Sequence, residues 1–511
     1  MALTGGKDRQ QRPVSFDSGI VSIGDVVTRG LTPNSVFIGQ NITSLDLLSS
    51  DIVFIGRNIS IYDVSPSFNV VGIGSNVSFG IGVSHAVAID STIGDAAQNC
   101  ASIANSYLGN NQSDCFVACD SVITEQATPT LSNNVAISNS FIDDETINSA
   151  TLANGIVGKR GDSVFAASNS RLSNDVSAAV GISRATIKTG SYDSAAFSRS
   201  FIGNNQGRCF VACNSVLSDQ AAPTNSEIIA ISSSNVGDNN VKIVAFCGSV
   251  VNNNCFNVFS FNSGVQAGSD RVVAFASAVG SSASGVFAGL SGVGNGVTST
   301  FAWNANVDNS IDESVVINGS LRLGSSHGII INGFIDTNSL NCLAMANATI
   351  GTDGLANIVV GNGASAGDYV NNAVVLGRGA FVPSGTVEAP LLNPIAIGYG
   401  ANVTGTSGIA VGKSAVSSGN YSQAYGQDAQ AAQAHEVVFG ALNGNGPASI
   451  NLFHAFNQAV APTELFRFDS AAIVNNGESA MYLLYKDSSG TICFSQVKVA
   501  IGSGNLQVSP A

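Results

Sequence analysis

Nine cysteines, four histidines and a few carboxylate clusters are the residues of this 511-residue chain that could do chemistry. Cys115/Cys119 and Cys209/Cys213 share a Cys-x3-Cys spacing that could offer two thiolates to a soft metal. On a strand, residues four apart are separated by roughly 13 Å, too far for a disulfide. No histidine lies near either pair in sequence, so packed thiols are expected, with no metal and no cofactor. His85, His327, His435 and His454 are scattered and share no metal-ligand spacing. The densest acidic groups are Asp143-Asp144-Glu145 and Asp308 with Asp312-Glu313. Paired carboxylates cleave glycosidic bonds when they flank a sugar. Both groups fall between short apolar runs and read as solvated turns. Gly292-Val-Gly-Asn-Gly296 lacks the lysine and the helix of a phosphate loop. The expectation is a chain without a catalytic constellation.

Binding chemistry concentrates near the C-terminus. Phe453, His454, Phe456, Phe466, Phe468, Tyr482, Tyr485 and Phe494 crowd into one short stretch. Aromatic faces stack on sugar rings and supply contact area at little entropic cost. Phe466, Phe468 and Phe494 are expected in a local core. His454, Tyr482, Tyr485 and Lys486 are the predicted receptor-binding residues, because each carries a polar end suited to a wet interface.

The elements that must position these residues follow from a repeat. Between Asn393 and Gly440, Gly398, Gly412, Gly426 and Gly440 recur every 14 residues. Each ends a short apolar run, as in Ile395-Ala-Ile397 and Ile409-Ala-Val411. Such an interval suits two short strands and two turns, one coil of a parallel β-solenoid. Ile397 and Val411 are expected to point into the coil. The same unit appears as Val36-Phe-Ile-Gly39, Val53-Phe-Ile-Gly56 and Val71-Gly-Ile-Gly74. The register continues through Asp90, Ala104, Cys119, Ser138 and Ala153 to Ser168, Ser183, Ser198, Cys213, Ser232 and Cys247. It passes Phe261, Ala276, Leu290, Asn304, Asn318, Asn332 and Ala346 before reaching Gly361 and Gly377. Most steps are about 14–15 residues. Longer steps contain Pro129, Pro223 and Pro383 and predict corner loops. Gly109–Cys119 recurs as Gly203–Cys213, a duplication of a multi-coil block. Past Gly440 the period stops. Met481–Tyr485 and Ile492–Val497, separated by Asp-Ser-Ser-Gly490, read as a hairpin. The predicted organisation is all-β: an N-terminal docking segment (1–33), a repetitive shaft (34–446) and a β-rich cap or knob (447–511).

Composition bounds the partners. Charged residues are 11% of the chain, against roughly 25% in ordinary domains. So neutral a surface favours burial between chains. The net charge of −14 disfavours nucleic acid as a partner. The first residues hold no apolar run, so no secretory signal is expected, and polar residues interrupt Val272–Val307 too often for a membrane span. An odd cysteine count then favours reduced thiols.

The pattern Ala396-Ile-Gly-x-x-Ala-x-x-x-Gly405, with small residues in every coil, resembles the head domain of trimeric autotransporter adhesins. Similar rolls occur in bacteriophage fibres. The close likeness covers Gly361 to Gly440. The adhesins also need a signal and a membrane anchor, which this sequence does not display. The resemblance implies a homotrimeric rod and a virion protein assembled in host cytoplasm. It would be a tail fibre that attaches to a host glycan or protein through its C-terminal domain and docks on the virion through residues 1–33. A head fibre or decoration protein, and a glycan-cleaving tailspike, are the alternatives.

Overall fold

The computed structural model describes residues 3–7, 13–17, 19–28, 33–44, 50–61, 67–126, 132–219, 224–440, 481–486, 492–502 and 505–510. The chain divides into two units, Met1–Ser310 and Ile311–Ala511, and the same coil builds both. Coils occupy residues 21–439, about 26 turns in all, and no helix occurs among the described residues.

One coil illustrates the rest. Phe165–Ala167 forms a three-residue strand. Ser168 and Asn169 then take left-handed φ values of 56° and 63° and carry the chain around a corner. Their amides donate to Leu152 and Ala153 of the preceding coil, which holds this unusual backbone in place. Arg171–Leu172 is the second strand. Ser177 bridges to Asp162 and Tyr192 on a third side. Val180–Ile182 then lies over the first strand in parallel register, Phe165↔Val180, Ala166↔Gly181 and Ala167↔Ile182. A parallel pair needs a crossover connection, and the other two sides of the coil supply it.

Two inward columns make the core. Ala166, Gly181, Ala196, Val211 and Ala230 form one; Leu172, Ile187, Ile202 and Leu217 form the other, and all are buried. In these coils the first column holds nothing larger than valine because the second fills much of the lumen. A Cβ on Gly181 would meet Leu172 Cδ1 at 2.9 Å. This corrects the expected phase at Ile397 and Val411. Ala396 and Ala410 are the fully buried residues, while Ile397 and Val411 stand on the outer face, half-buried. A third column is polar. Ser170 Oγ donates to the Ala167 carbonyl and accepts the Ala185 amide at 3.2 Å. Ser215 does the same with Ala212 and Ser234. Each buried hydroxyl is thereby satisfied and ties two coils together.

The register positions read from sequence are left-handed corners. Cys119, Ser138, Ser183, Cys213, Cys247, Ala276 and Asn304 all have positive φ. Phe261 is displaced by one residue: it ends a strand, paired with Phe246 and Phe275, and Asn262 takes the corner. Where the corner residue is glycine there is no room for a side chain; a Cβ on Gly39 would lie 1.7 Å from the Gly56 carbonyl oxygen. The longer steps occur where expected. Phe116 pairs with Val135, Phe210 with Ile229 and Val374 with Ile395. Residues 127–131 and 220–223, which hold Pro129 and Pro223, lie outside the described residues.

The stack begins earlier than its first motif suggested. Ile20–Thr28 pairs in parallel with Val36–Ser44, bringing Gly24 beside Gly39. Leu3–Lys7 and Pro13–Asp17 add antiparallel strands before it. Later in the chain Met481–Lys486, Ile492–Gly502 and Asn505–Pro510 form a separate three-stranded antiparallel sheet.

Candidate functional site

The residues singled out for chemistry are tied into the coils. Cys115 and Cys209 are buried, and each thiol donates to the carbonyl two residues back at 3.2 Å. Their duplicated surroundings match: Gln112 donates to the Thr124 carbonyl, and Gln206 to that of Ser218. Burial pushes the Cys209 thiol up to about 12. The Cys115 thiol is raised by its contact with Cys100 and then by burial, so it too stays protonated. Cys119 and Cys213 depart from the expected packing, since they occupy exposed corners. The reason is the strand between them and their mates: Phe116–Ala118 and Phe210–Ala212 carry the chain from the buried third side to an outer corner. Among the described residues no group of three or more His, Cys, Asp or Glu side chains is placed to hold a metal.

The acidic clusters sit on corners. Asp144 pairs with Lys159 at 3.0 Å, and Asp143 accepts from Thr124 and from the Asp144 amide. The Asp144 carboxyl is held below its ordinary value, by hydrogen bonding and by Lys159, which is the opposite of what a general acid needs. Glu313 meets His327 at 3.0 Å. His85 accepts or donates a bond with Asn69 at 3.1 Å, and His435 stacks on Tyr421 with centroids 5.1 Å apart. Of the predicted receptor-binding residues, His454 lies outside the described residues. Tyr482, Tyr485 and Lys486 lie on one strand, in register with Gln496, Cys493 and Ile492.

The largest feature is one that sequence reading mis-phased. The first strand of each coil presents two outward residues, and nearly all of them are apolar. In the unit ending at Ser310 they include Val244 and Phe246, Phe259 and Phe261, Val273 and Phe275, Phe287 with Gly289, then Phe301 and Trp303. Their rings stack coil on coil. Phe259 and Phe275 have centroids 5.4 Å apart, and Phe287 and Phe301 lie 4.9 Å apart and nearly parallel. Phe261 is 42% exposed and Trp303 41%. In the unit beginning at Ile311 the outward positions of the first strand are likewise apolar: Val315 and Ile317, Ile329 and Ile331, Ile358 and Val360, Ile395 and Ile397, and Ile409 and Val411. Ile329 is 46% exposed there. The pattern that could have revealed this face is large–small–large, with the small central residue inward. Within each unit these residues form an exposed apolar strip, the kind of surface that proteins use for interactions.

No protein-family model matches the chain, and no curated protein matches it.

Proposed function

We propose that this chain is the subunit of a homotrimeric virion fibre, a bacteriophage tail fibre, whose coils form the shaft and whose residues 447–511 contact the host cell. The outward apolar ladder carries the reading. A lone chain would leave rings such as Phe261, Phe301 and Trp303 in water. Packing the same face from several copies around a common axis would cover them, and the likeness of Gly361–Gly440 to trimeric adhesin heads makes that number three. The low charge content and the absence of a long apolar helix among the described residues fit a fibre that assembles in solution. Residues 1–33 would dock on the virion, and His454, Tyr482, Tyr485 and Lys486 would meet a surface glycan or protein.

Light scattering of the purified chain tests the assembly: three times 51.8 kDa is expected, and a monomer overturns it. Competition tests the function. Purified full-length protein should block phage adsorption, and a protein carrying Tyr482→Ala and Tyr485→Ala should block less well. Shortening of host polysaccharide by the protein would favour the glycan-cleaving spike instead. Labelled protein found on the particle head would favour a head fibre.

A further inference from the structure

We infer a second binding site, on the shaft itself: a groove along the first corner of the coils that takes an anionic saccharide. Arg184 and Arg199 occupy the same corner position in consecutive coils, both with left-handed φ. Their amides donate to Ser168 and Ser183 of the coils before them, at 2.9 and 2.8 Å, which fixes the two residues one above the other about 4.8 Å apart. Asn169 and Asn214 continue the column on either side, and these residues line a cleft together with Ser183 and Ser198. Both guanidiniums are exposed.

The charge pattern suits an anionic ligand. Several neighbouring cations are matched, Lys159 with Asp144, Arg160 with Asp175, Lys188 with Asp219 and Arg208 with Glu227, though Arg171, on the strand after a corner, is not among them. Arg184 and Arg199 have no ion-pair or hydrogen-bonding side-chain partner among the described residues. Two like charges on adjacent rungs repel, in a chain whose net charge is −14. A carboxylate or sulfate lying between them removes the repulsion and takes the forked donors of both. The flanking amides and hydroxyls supply the donors and acceptors that sugar hydroxyls require. The ligand class is therefore a saccharide carrying a carboxylate or sulfate. The site uses none of residues 447–511 and does not depend on how they bind.

The test is calorimetric titration of the full-length protein with three probes of equal length: an oligogalacturonate, a sulfated oligosaccharide and a neutral dextran oligomer. Binding to either anionic probe and not to the neutral one is expected, and which is preferred separates carboxylate from sulfate. The Arg184→Gln, Arg199→Gln double variant should bind at least about tenfold more weakly. Arg160→Gln, outside the groove, should bind as the parent does. Raising salt should weaken the interaction. Equal binding of the neutral probe, or undiminished binding by the double variant, overturns the site. So does a change in the double variant's assembled mass, which would show that the two arginines pair with acidic residues of a neighbouring copy.

Discussion

Gly398 faces the carbonyl oxygen of Gly412 so closely that a Cβ there would stand 2.3 Å from it. The φ of Gly398 is 133°, a conformation nearly closed to other residues. Gly398→Ala should therefore cost more than about 2 kcal/mol, from backbone strain and collision together. Gly363 provides the control. Its φ is 69° and a Cβ there meets nothing, so Gly363→Ala should cost only about 1 kcal/mol. Thermal melting of the two proteins side by side measures the difference.

Inward and outward positions should respond differently to charge. Ala410→Asp places an unpaired carboxylate in the lumen, where burial costs several kcal/mol, and should abolish the folded coil around it. Val411→Asp leaves the coil intact and damages the apolar face, so its effect should appear as a smaller assembled mass with β circular dichroism retained. The opposite assignment of the two phenotypes would return Val411 to the core.

Thr151 and Asn402 are the two described residues with a buried side-chain oxygen that has no hydrogen-bond partner, and Thr151 is the one within the inward column. It is fully buried between Ala136 and Ala166, and its Oγ1 has no hydrogen-bond partner. Thr151→Val removes the orphan hydroxyl and keeps the shape. It should stabilise the protein by about 1 kcal/mol, read as a raised melting temperature. A lowered one would mean that a water serves the hydroxyl.

The Arg160–Asp175 pair gives a pH signature. Arg160 donates to both carboxylate oxygens and holds the Asp175 pKa below its ordinary value. Its contribution is therefore complete above the unfolded-state pKa, near 3.9, and is lost as pH falls through the lower folded-state value. Because the pair is exposed, Asp175→Asn should lower the melting temperature at pH 7 by no more than about a degree. At pH 2 the variant and the parent should melt together.

The repeat was legible because its causes are local. Gly398, Gly412 and Gly426 mark the period since no other residue fits their backbone, and Asn, Ser and Asp mark it elsewhere because they tolerate left-handed corners. The in-and-out phase was not legible from bulk. Ile397 and Val411 are larger than Ala396 and Ala410, and size suggests core only when the outside is polar. The lumen here admits small residues at that column, so the bulky ones face out. The first coil was overlooked because Val21-Ser-Ile-Gly24 has Ser22 where the next two copies have phenylalanine. Arg184 and Arg199 carried no signal at all. They become neighbours only once the corner register is known to the residue.

The duplicated block has a consequence for how such a chain changes size. Ala101 and Ala195 hold the same place in the coil, and between them Phe116, Val135, Ala150, Phe165 and Val180 mark the rungs. The offset between the copies is thus a whole number of turns. Unequal recombination between the two coding segments would add or delete complete rungs, leaving every hydrogen-bonded neighbour with an equivalent one. Such a gene can lengthen or shorten its product in steps without passing through an unfolded intermediate sequence, whereas a gain of half a rung would place polar corners in the lumen and be eliminated.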